Sequence, residues 1–310
     1  YYRNHLNKQD LLQNYFHLKL QQTGYPKVLE KVYKYYIYQI CMKNLTRPPE
    51  MIWATIPAGS FIMGSSKQQV DQIKQLDPGY SDEWLNREQP QHEVYLSQFE
   101  ISIYPVTNRQ FREFVSSTGY QTERELDGLK KSVWHQFPFN KTRNSSSMEE
   151  ILDHPVVCVT VSDALNYCQW LAQHTGDNIN LPTEAQWEKS SRGGDDRLWP
   201  WGNQFDENKC NITGRGTTIV GSYPSGVSPY GVMDCAGNVW EWCRDWFDPD
   251  YYHYSPSCDP LGPEHGKYYV VRGGSWYRGR RSILSVRTSS RFRHFVACYT
   301  FGFRLVRESK

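Results

Sequence analysis

The side chains best suited to chemistry gather between Arg272 and Arg304, RGGSWYRGRRSILSVRTSSRFRHFVACYTFGFR. Arg278, Arg280, Arg281, Arg287, Arg291, Arg293 and His294 stand there among Tyr277, Phe292, Phe295 and Tyr299, with no acid from Tyr277 to Phe301. Guanidinium groups interleaved with aromatic rings are the composition of binding hot spots, suited to a protein or peptide ligand with acidic or aromatic features. The ends of the stretch, RGGSW and GFRLV, are regular, but the 25 residues between Tyr277 and Phe301 contain no Lys, Glu, Gln, Met or Trp. Those five types make up 67 of the 310 residues, so a proportional share would be about five. Every type that does occur can be written by a codon ending in C whose first two bases are free, and the five absent types cannot. Randomised adenines in AAC codons leave that trace.

Other chemistry is poorly supported. The eight cysteines (Cys41, Cys158, Cys168, Cys210, Cys235, Cys243, Cys258, Cys298) form no CxxC pair, which counts against a zinc ribbon or a redox motif. Most sit among aromatics, as small buried hydrophobes would in a reducing, cytoplasmic compartment. Asp195 with Asp196 and Glu149 with Glu150 are adjacent acids on polar stretches, read as solvated rather than as an acid/base pair. No GxSxG or Gly-rich phosphate loop is present, and the RGG triplets at 192–194 and 272–274 read as turns. A net charge of +2 gives no support to nucleic acid as a partner, and no apolar run approaches a bilayer span.

These residues need elements to position them. Residues 1–50 predict a short helical hairpin with a stiff RPPE end, which is expected to join the rest to an upstream effector domain or partner; no secretion leader is visible, in keeping with a cytoplasmic protein, though the sequence begins at Tyr1 rather than Met. From Met51 the texture changes to short segments punctuated by turns. MIWATIPAGSFIMG predicts a hairpin and HEVYLSQFEISIYPV two strands. Helices follow at NRQFREFVSSTG (cap Asn108, stop Gly119), SDALNYCQWLAQHTG (cap Ser162, stop Gly176) and PTEAQWEKSSRGG (Pro182 in the first turn, cap Thr183). Residues 126–152 predict a mobile polar excursion, and the loop-rich stretch after the third helix needs aromatic packing or a metal to hold it. Trp53, Trp187, Trp199, Trp201, Trp240, Trp242 and Trp276 are read as core.

IPAGSFIMG, YPVTNRQFREF, HPVVCVTVSDALNYCQW, LPTEAQWEKSSRGG, PWGN, GVMDCAGNVWEWCRDWF and VVRGGSW…GFRLV occur in that order. Together they resemble the formylglycine-generating-enzyme (sulfatase-modifying factor) family over about residues 51–308. The resemblance implies an α+β, loop-rich C-type lectin fold for residues 51–310. The enzymes of this family are copper oxidases with two cysteines shortly after RGGS. Thiolates suit the soft Cu(I) ion, and here those positions hold Arg278 and Ile283. A second branch, the iron-dependent sulfoxide synthases, brings a His-rich helical domain, whereas this N-terminal unit has only His5 and His17 and no HxxxH. Neither copper nor iron is expected.

A third branch, the variable proteins of diversity-generating retroelements, fits the composition. In those a reverse transcriptase copies a template with errors at adenines and rewrites the 3′ end of the gene, between an RGGSW-like start and a GFR-like finish. The resemblance implies a non-catalytic binding module with variable segment 277–301. Its candidate ligand-binding positions are Tyr277, Arg278, Gly279, Arg280, Ser282, Ile283, Ser285, Arg287, Ser289, Ser290, Arg291, Arg293, His294, Phe295, Cys298 and Tyr299, all expected to point outward. Arg287 and Arg291 also match arginines of the family frame, which leaves a structural role open for them. The alternative is a metal-dependent oxidase, formylglycine-generating-enzyme-like or sulfoxide-synthase-like, acting on thiols. MDCAGNVWEW resembles the family's structural calcium loop, with Asp234 and Glu241 binding through side chains and Gly237 and Val239 through carbonyls. The family's other calcium site, starting at Asn211 and Ile212, is not expected here.

Overall fold

From Trp53 onward the chain alternates short strands and capped helices: β1 (Trp53–Ile56), β2 (Gly59–Met63), α1 (Lys67–Leu76), α2 (Asp82–Asn86), β3 (His92–Leu96), β4 (Phe99–Ser102), α3 (Asn108–Thr118), α4 (Glu123–Leu126), α5 (Val161–Thr175), β5 (Asn178–Asn180) and α6 (Glu184–Arg192). After a long loop come β6 (Trp240–Trp246), β7 (Tyr269–Arg272), α7 (Ser282–Ser285), β8 (Arg291–His294), β9 (Phe301–Gly302) and β10 (Val306–Glu308). The computed structural model describes residues 50–128, 134, 151–277, 282–294 and 296–308. The chain divides into units Tyr1–Arg47 and Pro48–Lys310, and the described residues lie in the second. The expected N-terminal hairpin, and nearly all of the expected excursion at 126–152, fall outside the described residues.

Each longer helix starts on a reciprocal capping box, in which a hydroxyl takes the N3 amide and the N3 side chain takes the cap amide: Ser66 with Gln69, Thr107 with Gln110, Thr160 with Asp163, and Thr183 with Gln186. The caps expected at Asn108 and Ser162 are thus corrected to Thr107 and Thr160, and Pro182 precedes the third cap rather than filling the first turn. Serine or threonine three residues before a Gln or Asp satisfies two orphan amides at once, which a lone polar cap does not. Gly119 (φ 71°) and Gly176 (φ 77°) end α3 and α5 in the left-handed region, as expected.

Three sheets hold these helices. One runs β1-β4-β10-β5 and is antiparallel throughout, with Val306 opposite both Ile101 and Asn180. A second pairs β2 with β3, and the third runs β8-β7-β6-β9, with β6 and β9 parallel. The hairpin expected from MIWATIPAGSFIMG does not form. β1 pairs with β4 and β2 with β3, because Pro57, Ala58 and Gly59 (φ 141°) turn the chain from one sheet to the next. Wide aromatics fill the cores: Phe111, Phe114, Tyr167, Trp170, Trp242 and Phe303 on the side of α3 and α5, and Phe61, Phe99, Trp187 and Tyr252 on the side of α6. Of the seven tryptophans read as core, Trp187, Trp199, Trp242 and Trp276 are buried, while Trp53, Trp201 and Trp240 are only half-buried.

Candidate functional site

The arginine-rich segment begins where β7 ends, at a turn only glycine can make. Gly273 and Gly274 take φ of 90° and 70°. A Cβ on Gly274 would lie 2.6 Å from the Val286 side chain, so the turn clamps the start of the segment onto its middle. Trp276 then drops into the core; its amide donates to the Asn238 carbonyl and its Nε1 to the Tyr299 carbonyl at 3.2 Å. That last bond ties the two ends of the segment together, with the Trp276 and Tyr299 rings 5.8 Å apart.

Between those ends the segment divides into displayed and buried parts. Tyr277 (59 % exposed), Ile283 (40 %) and Arg293 face solvent, and Ser285, His294, Cys298 and Tyr299 are half-buried. Arg278, Gly279, Arg280 and Phe295 lie outside the described residues, as does the Ser282 side chain. Arg287, Ser289, Ser290 and Arg291 are buried, which corrects the expectation that they point outward. The reason is a set of acids supplied from far upstream. Arg287 forks onto Glu88 (Nη1 to Oε2 2.9 Å, Nη2 to Oε1 2.8 Å), and its Nε donates to the Leu284 carbonyl. Ser289 Oγ donates to Glu88 at 3.1 Å and meets Ser65 Oγ at 2.8 Å. Arg291 forks onto Glu184 (2.7 and 2.8 Å), and its remaining donors reach the Arg87 and Asp248 carbonyls.

The frame arginines complete the same lattice. Arg272 joins Glu184 and Glu188 and donates to the Thr288 carbonyl; Arg192 pairs with Glu188; Arg304 pairs with Glu241. Every side chain in these pairs is at most 2 % exposed. Burial opposes ionisation at Glu88, but Arg287 overrides it and holds the carboxyl below its usual range. A buried, hydrogen-bonded pair of this kind contributes little net stability over an apolar substitute, yet removing one partner strands a charge. Arg287 and Arg291 are therefore rivets of the scaffold.

The displayed part rests on aromatic side chains from elsewhere in the chain, which sequence reasoning missed. Phe292 lies between Trp84 and Trp240 (centroids 5.0 and 5.2 Å), and Arg293 stands over the Tyr268 ring at 5.1 Å and the Phe247 ring at 5.6 Å. Leu284 packs on Ile73, Tyr80 and Leu85, anchoring the short α7 from which Ile283 projects. His294 accepts from the Val296 amide through Nδ1 (3.1 Å) and packs 4.4 Å from the Phe301 ring; burial lowers its pKa. The only local signals for this support were the aromatic residues around it.

In the loop expected to hold calcium, the two carboxylates differ. Glu241 accepts from Trp187 Nε1 at 2.7 Å and from both ends of the Arg304 fork, so its charge is matched. Asp234, at φ 58°, accepts from the Gly221 amide at 2.7 Å and makes no ion pair among the described residues. Burial pushes its carboxyl up to about 6. Of the two carboxylates expected to bind calcium, Glu241 is thus committed to Arg304, and Asp234 is the one without an ion pair among the described residues. Among the described residues no group of three or more His, Cys, Asp or Glu could hold a metal.

A capped, three-sheet α+β scaffold with its C-terminal loops riveted down by buried ion pairs defines the class: a C-type lectin fold. Within it, the chain belongs to the sulfatase-modifying factor enzyme 1-like domain family, which matches residues 39–309. Among its relatives is a formylglycine-generating enzyme of Thermomonospora curvata, 35% identical over 267 residues, covering 71% of this chain and 81% of that protein. Serine/threonine-protein kinase pkn1 of Chlamydia caviae is 35% identical over 269 residues, covering 84% of this chain but only 38% of that protein. The chain thus spans less than two fifths of the kinase-named relatives it matches. Treponema denticola variable protein 1 superposes with a TM-score of 0.63 at 22% identity, covering 85% of this chain and 98% of that one, and shares the fold. No described helix is long and apolar enough to cross a membrane.

Proposed function

We propose that this chain is a non-catalytic, ligand-binding variable protein of a diversity-generating retroelement. The observation that carries the reading is the restricted amino-acid alphabet of Tyr277–Phe301, within which side chains divide into a displayed set and a riveted set. A surface that is rewritten at random needs that division, because exposed positions tolerate change and buried paired charges do not. Where the oxidase branch places its copper thiolates this chain has Arg278 and Ile283, neither of which can bind Cu(I), and that favours binding over thiol oxidation. The ligand is a protein or peptide with acidic or aromatic features, matched by Arg293, Tyr277 and Tyr299. Residues 1–50 join the module to an effector or partner, in the cytoplasm, and calcium at Asp234 stiffens the loop that precedes β6.

The test is genetic and needs no knowledge of the ligand. The DNA beside the gene is expected to hold a near-copy of its 3′ end with adenines in the codons of the displayed residues, next to a reverse-transcriptase gene. Sibling genes that vary outside 277–301 but agree within it defeat the reading. So does stoichiometric copper in purified protein together with turnover of a cysteine-bearing peptide, the outcome expected of the oxidase.

A further inference from the structure

Outside the segment of restricted alphabet, α1 and the loop 196–205 enclose a groove of about 580 Å³. One side of α1 presents Gln68, Gln72 and Gln75, one helical turn apart and all exposed, followed by Leu76. The charged residues of the same helix, Lys67, Asp71 and Lys74, lie outside the groove lining. Facing the glutamines are Asn203, Gln204 and Phe205. The groove is built rather than incidental. Gln69 Nε2 donates to the Asp196 carbonyl at 2.8 Å, tying helix to loop, and Asn203 Oδ1 takes the Leu198 amide at 2.8 Å. Below, Trp199 packs on Phe205 with centroids 5.5 Å apart.

The lining selects by chemistry. Among its residues only Asp196 is charged and none is basic, so phosphates and carboxylates find no counter-charge. A wholly apolar ligand would desolvate the amides of Gln68, Gln72, Gln75 and Gln204 without pairing them, at a cost for each. An amide offers a donor and an acceptor side by side, as a hydroxyl group does, and Phe205 and Leu76 add apolar surface for C–H faces. We propose that this groove binds a neutral saccharide of up to about two rings, which its volume accommodates. The groove lies outside the segment of restricted alphabet, yet its floor is bonded to it: Trp199 Nε1 donates to the Ile283 carbonyl at 3.2 Å and the Thr288 amide to the Leu198 carbonyl at 2.8 Å. It is a constant site beside the displayed one.

The test titrates the full chain with maltose, lactose, cellobiose and N,N′-diacetylchitobiose to about 20 mM, read by ligand-observed NMR, since millimolar affinity suffices for detection. At least one disaccharide is expected to bind. Gln72→Ala with Phe205→Ala should weaken it at least tenfold, and Gln72→Glu, a milder change on the exposed helix face, should also weaken it. Tyr277→Ala with Arg293→Ala should leave it unchanged. The proposal is overturned if no disaccharide binds, if the displayed-face variant abolishes binding, or if a neutral Gly-Ser peptide binds the groove in place of the sugars. None of these results depends on whether the face at 277–299 recognises a ligand.

Discussion

Arg287→Ala is the sharpest test of the rivet argument. The substitution removes both guanidinium bonds to Glu88, which is 1 % exposed and whose carboxylate is otherwise held, among the described residues, by the hydroxyls of Ser65 and Ser289. Stranding a buried carboxylate costs about 3–5 kcal/mol, which for a domain of this size lowers Tm by roughly 6–20 °C. Arg293→Ala removes an exposed side chain lying over two rings and should cost about 1 kcal/mol or less. Urea denaturation of the two variants beside the parent measures the difference directly. Two controls sharpen it. Pairing Arg287→Met with Glu88→Leu removes both charges and should recover most of the loss. The loss should also shrink as pH falls. In the parent, Arg287 depresses the Glu88 carboxyl, so that stability is present above its unfolded pKa and lost in acid. Without Arg287, burial raises the carboxyl instead, and protonation relieves the penalty. If Arg287→Ala costs no more than Arg293→Ala, the lattice is not what holds the segment and the division of its residues collapses.

Three further outcomes follow from the same accounting. Burial, then the nearby Glu184 charge, pushes Asp245 from 3.8 up to about 7, so the folded state loses stability as pH rises between those values; Asp245→Asn should stabilise by up to about 4 kcal/mol near pH 8 and by nothing near pH 4, as read by denaturation at both. Asp234→Asn should likewise stabilise the calcium-free protein at neutral pH, yet abolish any rise in Tm on adding millimolar Ca²⁺; an undiminished rise would move the cation elsewhere. Gly274→Ala, at φ 70° and with its new methyl 2.6 Å from Val286, should destabilise by about 2–4 kcal/mol, and equal stability in thermal melts would contradict the described turn.

Much of this scaffold could be read from order and punctuation. The run of motifs from IPAGSFIMG to GFRLV foretold the fold, and Gly119, Gly176 and Thr183 marked helix ends where the chain does turn. Strand pairing was not legible, since β1 and β2 look like a hairpin locally and only the distant β4 and β3 decide otherwise. The candidate site was half legible for the same reason. Composition located the segment, and only the match to the family frame set Arg287 and Arg291 apart from Arg293, since nothing in the residues around them does. Their burial is set by Glu88, 199 residues away, and Glu184, 107 residues away. Trp240 shares a sheet face with the buried Trp242 and packs on the same core, but at its margin beside the half-buried Phe292, and the WEW motif does not show where that core ends.

The distance between the rivets and their acids has a hereditary consequence. If copying errors at adenines rewrite this stretch, a loss at Arg287 or Arg291 has no remedy inside the rewritten window, because Glu88 and Glu184 are spelled far upstream of it. Arginine is one of the residues that can be written with no adenine at all, as can serine. Where the template spells Arg287, Ser289 and Arg291 without adenine, a mutator blind to other bases passes over them, and the choice of codon shields the bolts while the surface between them is redrawn.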